Sequence, residues 1–134
     1  MTALYKNRAL ADAATEKLKI YAQPQRLMIL SCLLSGERTV SEIDSATSIG
    51  QPALSQQLAE LRRAEMVKSR RVSKQVYYDL ANDMVGLCVR SMEAILGGSE
   101  NPEAQLKTAL AGHSEKTQAT HAPAGTAQFA RITR

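Results

Sequence analysis

The 134-residue sequence contains no tryptophan and only one phenylalanine beside four tyrosines. Proteins that hold single-stranded nucleic acid without regard to its sequence stack the bases on aromatic side chains, and this chain has too few aromatics for such a platform. No apolar run approaches the roughly 20 residues that span a bilayer, and residues 1–10 lack the apolar core of a signal peptide. We therefore expect a cytoplasmic protein with no membrane partner.

Cysteine and histidine are also scarce, with two of each. Two cysteines in a cytoplasmic protein are expected to be free thiols. His113 and His121 both lie near the C-terminus, whereas a zinc site needs about four N, S or O ligands in one place. We predict no metal and no cofactor. The sequence shows no plausible Ser/His/Asp or Cys/His constellation, phosphate loop or buried carboxylate pair, so we do not expect an enzyme.

The formal net charge is only +4, but the basic residues are concentrated in one segment. Between residues 62 and 74 a single acid, Glu65, accompanies six basic side chains: Arg62, Arg63, Lys68, Arg70, Arg71 and Lys74. A local cluster of this kind indicates nucleic acid more strongly than a mild overall excess does. A basic face that is merely solvated is the alternative interpretation.

Helical periodicity is clearest in the segment 50–67. One apolar stripe is formed by Leu54, Leu58 and Leu61, at the i, i+4 and i+7 spacing of an amphipathic helix. The opposite side carries Pro52, Gln56, Ala59 and Arg63, with Ser55 beside them. These short or hydrogen-bonding side chains, with almost no acid among them, are typical of a helix that lies in the major groove of DNA.

The residues before this helix predict three others. The first runs from Ala9 to Ala22, and Pro24 opens a second helix that is apolar nearly all round and should form the centre of the core. Ser41 followed by Asp44 resembles a weak capping box for a short third helix. A turn over residues 48–50 leads to Gln51-Pro52, which opens the fourth helix. The third and fourth helices predict a helix-turn-helix whose second helix reads DNA.

After Met66 the pattern changes to alternation. Residues 67–72 and 75–80 predict a hairpin that turns at Ser73-Lys74, in other words a basic wing beside the helix-turn-helix. Asn82 or Asp83 can cap a last helix, whose apolar stripe consists of Met84, Cys88, Met92 and Ile95. This stripe either closes the core or pairs with a second subunit, and we favour a homodimer through the first and last helices.

The predicted fold is therefore mainly α with a small β-hairpin, in the order α-α-α-α-β-β-α. Residues 1–96 form the winged helix-turn-helix domain for DNA binding and dimerisation. Residues 97–134 lack periodicity and are predicted to be a mostly disordered tail with one weak helix at 101–111.

This arrangement resembles the ArsR/SmtB family of bacterial repressors over about residues 10–96. The segments that carry the resemblance are PQRLMIL (24–30), TVSEI (39–43), GQPALSQQLAELRRAEMV (50–67) and QVYYDL (75–80). The resemblance implies a homodimer that binds a near-palindromic operator and leaves it when an unknown inducer is sensed. On this basis Gln51, Ser55 and Gln56 are expected to read base edges. The expected backbone contacts are Ser41, Arg63, Lys68, Arg70, Arg71, Lys74 and Tyr77.

The inducer is less well defined by the sequence. The nearest subgroup is that of the thiol-switch, sulfide-responsive and nodulation repressors, but its two cysteine positions fall on Ser31 and Gly97 here. Cys32 and Cys88 are thus displaced by one residue, about 100° around a helix, and by nine residues, ~13 Å along it. The family's metal-ligand positions in the third and last helices hold neither thiol nor histidine. We expect core thiols; a redox or arsenic-type sensor, a small organic inducer and a winged-helix protein-interaction module are the alternatives.

Overall fold

A computed structural model describes the backbone of residues 1–120 and the side chains of residues 1–112. Its helices are α1 (Arg8–Tyr21), α2 (Pro24–Cys32), α3 (Val40–Thr47), α4 (Ala53–Arg63), α5 (Asp83–Leu96) and α6 (Pro102–Thr120). Its strands are β1 (Arg38–Thr39), β2 (Val67–Val72) and β3 (Gln75–Leu80). Short 3₁₀ turns at Leu4–Lys6 and Leu33–Ser35 precede α1 and follow α2. The predicted mainly helical winged fold is confirmed. Within residues 1–120, no helix has the length and apolarity that crossing a bilayer requires.

The core forms where α2 meets the helix-turn-helix. Its fully buried side chains are Ile29, Leu30, Leu33, Ile43, Leu54, Leu58, Leu61 and Val89. The central position of α2 and the apolar stripe of α4 are therefore confirmed. Because Leu54, Leu58 and Leu61 of α4 are buried in this core, the opposite face of α4 is turned toward solvent.

The start of α3 differs from the prediction. Thr39, not Ser41, is the cap: its hydroxyl accepts a hydrogen bond from the backbone N–H of Glu42 (3.2 Å), and the Glu42 carboxylate accepts one from the backbone N–H of Thr39 (2.9 Å). This is a complete capping box, two residues earlier than expected. Ser41 lies exposed in the first turn. Asp44 accepts from the backbone N–H of Gly50 (2.9 Å) and so holds the turn between α3 and α4.

The sheet contains one strand more than predicted. Its order is β1-β3-β2 and both pairings are antiparallel. The predicted hairpin is confirmed, because Val72 pairs with Gln75 and leaves Ser73-Lys74 as the turn. β1 adds Arg38 and Thr39 to the other edge of β3, so the wing is joined directly to the residues that begin α3.

Most of the last predicted stripe does not close the core, and of its four residues only Met92 packs against it. α5 is capped by Asn82, which accepts from the backbone N–H of Val85 (3.1 Å), and it buries Val85 and Val89. Met84 and Ile95 remain 62% and 53% exposed.

The expectation of two core thiols is wrong for Cys88 and only partly correct for Cys32. Cys88 is exposed, and Cys32 is half-buried at the edge of the core. Met84, Cys88 and Ile95 point outward because Val85 and Val89 occupy the inward side of α5, whereas Met92 packs against the edge of the core.

The C-terminal segment contains more helix than the predicted 101–111. α6 extends to Thr120 and packs against α5. Leu106 and Ala109 are half-buried there, and Ala94 of α5 is buried. Residues 121–134, for which disorder was predicted, lie outside the described part of the chain. The division at residue 96 stays a prediction.

Candidate nucleic-acid interface

The outward face of α4 is the centre of the candidate interface. Gln51, Ser55, Gln56, Ala59 and Arg63 are exposed. This face is less free of acid than the sequence pattern indicated, because Glu60 is also exposed and its carboxylate lies 2.5 Å from the Arg63 guanidinium. In the unbound protein Arg63 is thus partly neutralised by a neighbour on its own helix.

Gln51 and Ser55 interact with each other at the start of α4. The residue before the helix, Pro52, offers no side-chain cap. Instead the Gln51 side-chain oxygen accepts hydrogen bonds from the Ser55 backbone N–H (3.1 Å) and hydroxyl (2.8 Å). Helix N-termini have unsatisfied N–H groups that such an acceptor stabilises. The amide nitrogen of Gln51 stays available as a donor.

Gln56 and Gln57 are adjacent but differ in their surroundings. The Gln57 side-chain oxygen accepts from Nε of Arg26 in α2 (2.9 Å). Gln56 is exposed, and its amide has no partner among the described residues. A free amide can both donate and accept, which is what two-pronged recognition of adenine requires.

The wing has two faces, and the register assigns its basic residues to them. Side chains of directly opposed residues in an antiparallel pair lie on the same face. Arg71 pairs with Val76, and Arg70 pairs with Tyr77, so the two arginines lie on opposite faces. Lys68 is on the Arg70 face, and Lys74 is in the exposed turn.

The Arg71 face is the one that looks toward α4. Tyr78, two residues from Val76 on that face, lines a cleft of about 460 Å³ together with Ser55, Ala59 and Arg62. Arg62, a member of the basic cluster, is exposed beside this cleft and has no partner among the described residues.

Arg70 is engaged within the protein. Its Nε donates to Oε2 of Glu37 at 2.9 Å, and its second guanidinium nitrogen donates to the other carboxylate oxygen. The guanidinium also lies over the ring of Tyr77, 5.4 Å from the ring centre. The hydrogen bonds to Glu37 raise the pKa of Arg70 above its ordinary value. The local sequence pattern does not indicate Glu37, because this lone acid lies 33 positions before Arg70.

The two cysteines have separate surroundings and are both free. Burial raises the pKa of the Cys32 thiol, although the charge of Arg38 opposes this effect. Cys88 lies beside Tyr21 at the end of α1, and burial, with the neighbouring thiol, raises the pKa of the Tyr21 phenol. At the position of the subgroup's first cysteine, the Ser31 hydroxyl donates to Glu93 of α5. Among the described residues no group of three His, Cys, Asp or Glu side chains is placed to hold a metal.

A helix-turn-helix whose reading helix is exposed beside a basic two-stranded wing defines a winged helix-turn-helix DNA-binding protein. Residues 23–69 match the family model described as bacterial regulatory protein, arsR family. The chain is 41% identical over 95 residues to the biofilm growth-associated repressor of Agrobacterium fabrum, covering 69% of this chain and 81% of that protein. The chain therefore belongs to the ArsR family and is a DNA-binding transcriptional repressor rather than an enzyme.

Solved structures agree with this assignment. The transcriptional repressor BigR from Xylella fastidiosa superposes with a TM-score of 0.65 at 34% identity, covering 70% of this chain and 96% of that one. The homodimeric winged helix-turn-helix DNA-binding domain of Mb0332 from Mycobacterium bovis gives a TM-score of 0.59 at 28% identity, covering 72% of this chain and 88% of that one.

Proposed function

We propose that the chain acts as a homodimer that binds a near-palindromic operator in double-stranded DNA and leaves it when an inducer is sensed. The observation that carries the proposal is the amide of Gln56, which is exposed and has no partner among the described residues, on a helix whose other face is buried in the core. Gln56 reads a base edge, with Gln51 as a donor and Ser55 beside it.

The remaining predicted contacts are assigned to the phosphates. Arg71 and Lys74 are exposed and have no acidic partner among the described residues, so they are the strongest candidates. Ser41 is exposed in the first turn of α3, whereas Lys68 and Tyr77 lie on the Arg70 face of the wing. Arg63 first has to leave Glu60. Phosphate contacts supply affinity and orientation, whereas base contacts supply sequence preference.

Dimerisation is supported by apolar side chains that one subunit leaves in solvent. On α1 these include Leu10 and Leu18, the latter 60% exposed, and on α5 they include Met84 and Ile95. Large exposed apolar groups concentrated on two elements are typical of an interface. The Mb0332 domain is described as homodimeric. A two-fold axis would set the two copies of α4 one DNA turn apart, ~34 Å.

The inducer side of the proposal concerns the thiols. The exposure of Cys88 favours a thiol-reactive inducer over one that needs a cysteine pair. The two thiols also have different neighbours: the charge of Arg38 acts on Cys32, whereas Cys88 interacts with Tyr21. A second candidate function is therefore a redox sensor that works through Cys88 alone.

The experiment combines assembly with DNA binding. Sedimentation equilibrium should give a dimer for the native chain and a monomer for Ile95→Asp, which places a charge in the proposed interface. Val72→Asp is the matched control, because Val72 is a similarly exposed apolar residue on the wing. Footprinting on DNA upstream of its own gene should give a protected, near-palindromic site. A native chain that is strictly monomeric, or that leaves no footprint, would contradict the proposal.

A further inference from the structure

Arg70 belongs to the basic wing by sequence, but its surroundings differ from those of Arg71, the next residue. Both carboxylate oxygens of Glu37 accept hydrogen bonds from Arg70, whereas Arg71 has no acidic partner among the described residues. Arg70 is 60% exposed and Glu37 is 32% exposed. The pair therefore lies at the surface, where DNA could compete for the cation only by breaking a two-pronged contact.

The position of Arg70 on the wing also makes it a poor ligand for a DNA phosphate. Arg70 lies on the wing face that carries Tyr77, and Arg71 lies on the face that looks toward α4. The Arg70 guanidinium is also held over the Tyr77 ring. Planar guanidinium groups fit a carboxylate in this two-pronged way and stack on aromatic rings, which an ammonium group cannot reproduce.

Glu37 occupies a particular place in the fold. It lies between Gly36, which ends the turn after α2 with a positive φ of 128°, and β1, which leads directly into the capped start of α3. The contact between Glu37 and Arg70 thus joins the wing to the segment that begins the helix-turn-helix. It supplements the short β1–β3 pairing, which contains only two residue pairs.

We infer that Arg70 and Glu37 are positioning residues for DNA binding: they fix the wing relative to the helix-turn-helix, and Arg70 does not contact a phosphate. The inference rests on the proposed DNA-binding surface, and it removes Arg70 from the backbone contacts of that surface. It also assigns a DNA-binding role to an acid, Glu37, that lies outside the basic cluster.

The slope of log affinity against log salt distinguishes these roles, because each phosphate contact contributes about 0.9 to the slope. Binding is measured by fluorescence anisotropy on a random duplex and on the duplex protected upstream of the gene. Arg70→Ala should leave the slope unchanged on both duplexes. The matched variant Arg71→Ala should reduce the magnitude of the slope by about 0.9. A slope loss in Arg70→Ala equal to that in Arg71→Ala would overturn the inference.

Conservative and double variants test the pair itself. Arg70→Lys keeps the charge but loses the two-pronged contact, so it should reduce affinity for the protected duplex as much as Arg70→Ala, about fivefold or less for an exposed pair. Arg71→Lys should retain its affinity. Glu37→Ala should match Arg70→Ala, and the double variant should be no worse than either single one. Additive losses, rescue by Arg70→Lys, or no loss in any of these variants would overturn the inference.

A structural measurement and a control separate the possible failures. Amide hydrogen exchange over Val67–Leu80 should be faster in Glu37→Ala and Arg70→Ala than in the native chain, even without DNA. Failure of the wider DNA-binding proposal has a different signature: the native chain would then lack salt-dependent binding, and Arg71→Ala would have no effect on the slope.

Discussion

The side-chain oxygen of Gln51 lies 2.8 Å from the hydroxyl oxygen of Ser55 and 3.1 Å from the backbone nitrogen of the same residue. Two residues that are both proposed to face DNA are therefore bonded to each other in the free protein. Because the oxygen is occupied, Gln51 can offer a base only its N–H groups. Two-pronged recognition of adenine, which needs a donor and an acceptor, falls to Gln56.

Substitution of Gln51 should separate capping from DNA binding. Gln51→Ala removes the acceptor, and the free energy of unfolding should fall by about 1 kcal/mol, as for other lost caps. Gln51→Glu keeps the acceptor and places a negative charge near the helix N-terminus, where it is favourable, but this charge is repelled by phosphates. Urea denaturation should thus show native-like stability for Gln51→Glu, with weakened DNA binding. Equal destabilisation by both variants would contradict the capping role.

Gln56 and Gln57 form a matched pair for testing base recognition. Gln56→Ala should reduce discrimination between the operator and a singly substituted operator by about 1–3 kcal/mol, the usual worth of a two-pronged base contact. Its thermal stability should be unchanged. Gln57→Ala should lower stability, because Arg26 loses its partner, and should keep the discrimination. Competition binding and thermal melts measure both quantities, and the reverse pattern would show that the two roles are exchanged.

The thiols should differ in reactivity. Cys88 is exposed, whereas Cys32 is half-buried and its pKa is raised by burial, so iodoacetamide should modify Cys88 first at neutral pH. If α5 lies at the dimer interface, labelling of Cys88 should slow with rising protein concentration. Mass spectrometry of the native chain, Cys32→Ser and Cys88→Ser after labelling identifies which cysteine is modified. If Cys32 is structural, Cys32→Ser should keep induction; preferential labelling of Cys32 would contradict this assignment.

The capping box of α3 should make stability depend on pH. Hydrogen bonds from Thr39 lower the pKa of Glu42, and the one from the backbone N–H has the largest effect. A lowered carboxylate pKa stabilises the fold fully above the ordinary value of about 4.3 and loses this effect as the pH falls through the lowered pKa. Glu42→Gln should therefore be less stable than the native chain at neutral pH, and the difference should disappear in acid. Denaturant titrations across this range measure it, with exposed Glu103→Gln as the control; a difference that persists in strong acid would exclude ionisation as its cause.

Removal of residues 101–134 tests what α6 contributes. The truncation uncovers Ala94, which is buried in the full chain, so the melting temperature should fall modestly. Dimer and DNA binding should remain nearly unchanged, because α6 lies against the side of α5 that carries Arg90 and Ala94 and not against the side that carries Met84 and Ile95. Sedimentation and anisotropy on the truncated chain check both points. Loss of DNA binding at a temperature where the truncated chain is still folded would assign a functional role to the tail.

The sequence by itself determined the elements whose signals are local. Leu54, Leu58 and Leu61 repeat at helical spacing and are buried as expected, and the alternation after Met66 gives the hairpin and its Ser73-Lys74 turn. The capping box was also available, since Thr39 and Glu42 have the required spacing. Ser41 and Asp44 have the same spacing two residues later, so the local pattern fits two starts for α3. Alternative caps differ by small free energies, so the sequence determines the helix but not its first residue.

Only the tertiary structure decided which polar side chains are free. Arg26 meets Gln57 across 31 positions, Arg70 meets Glu37 across 33, and Ser31 meets Glu93 across 62. The same packing turned Met84 and Cys88 outward, because Val85 and Val89 filled the inward side of α5. A periodic pattern shows which residues of one helix or strand share a face, and it can be detected because it repeats along the sequence. Contacts between distant residues depend on strand register and helix packing, which a single sequence does not record.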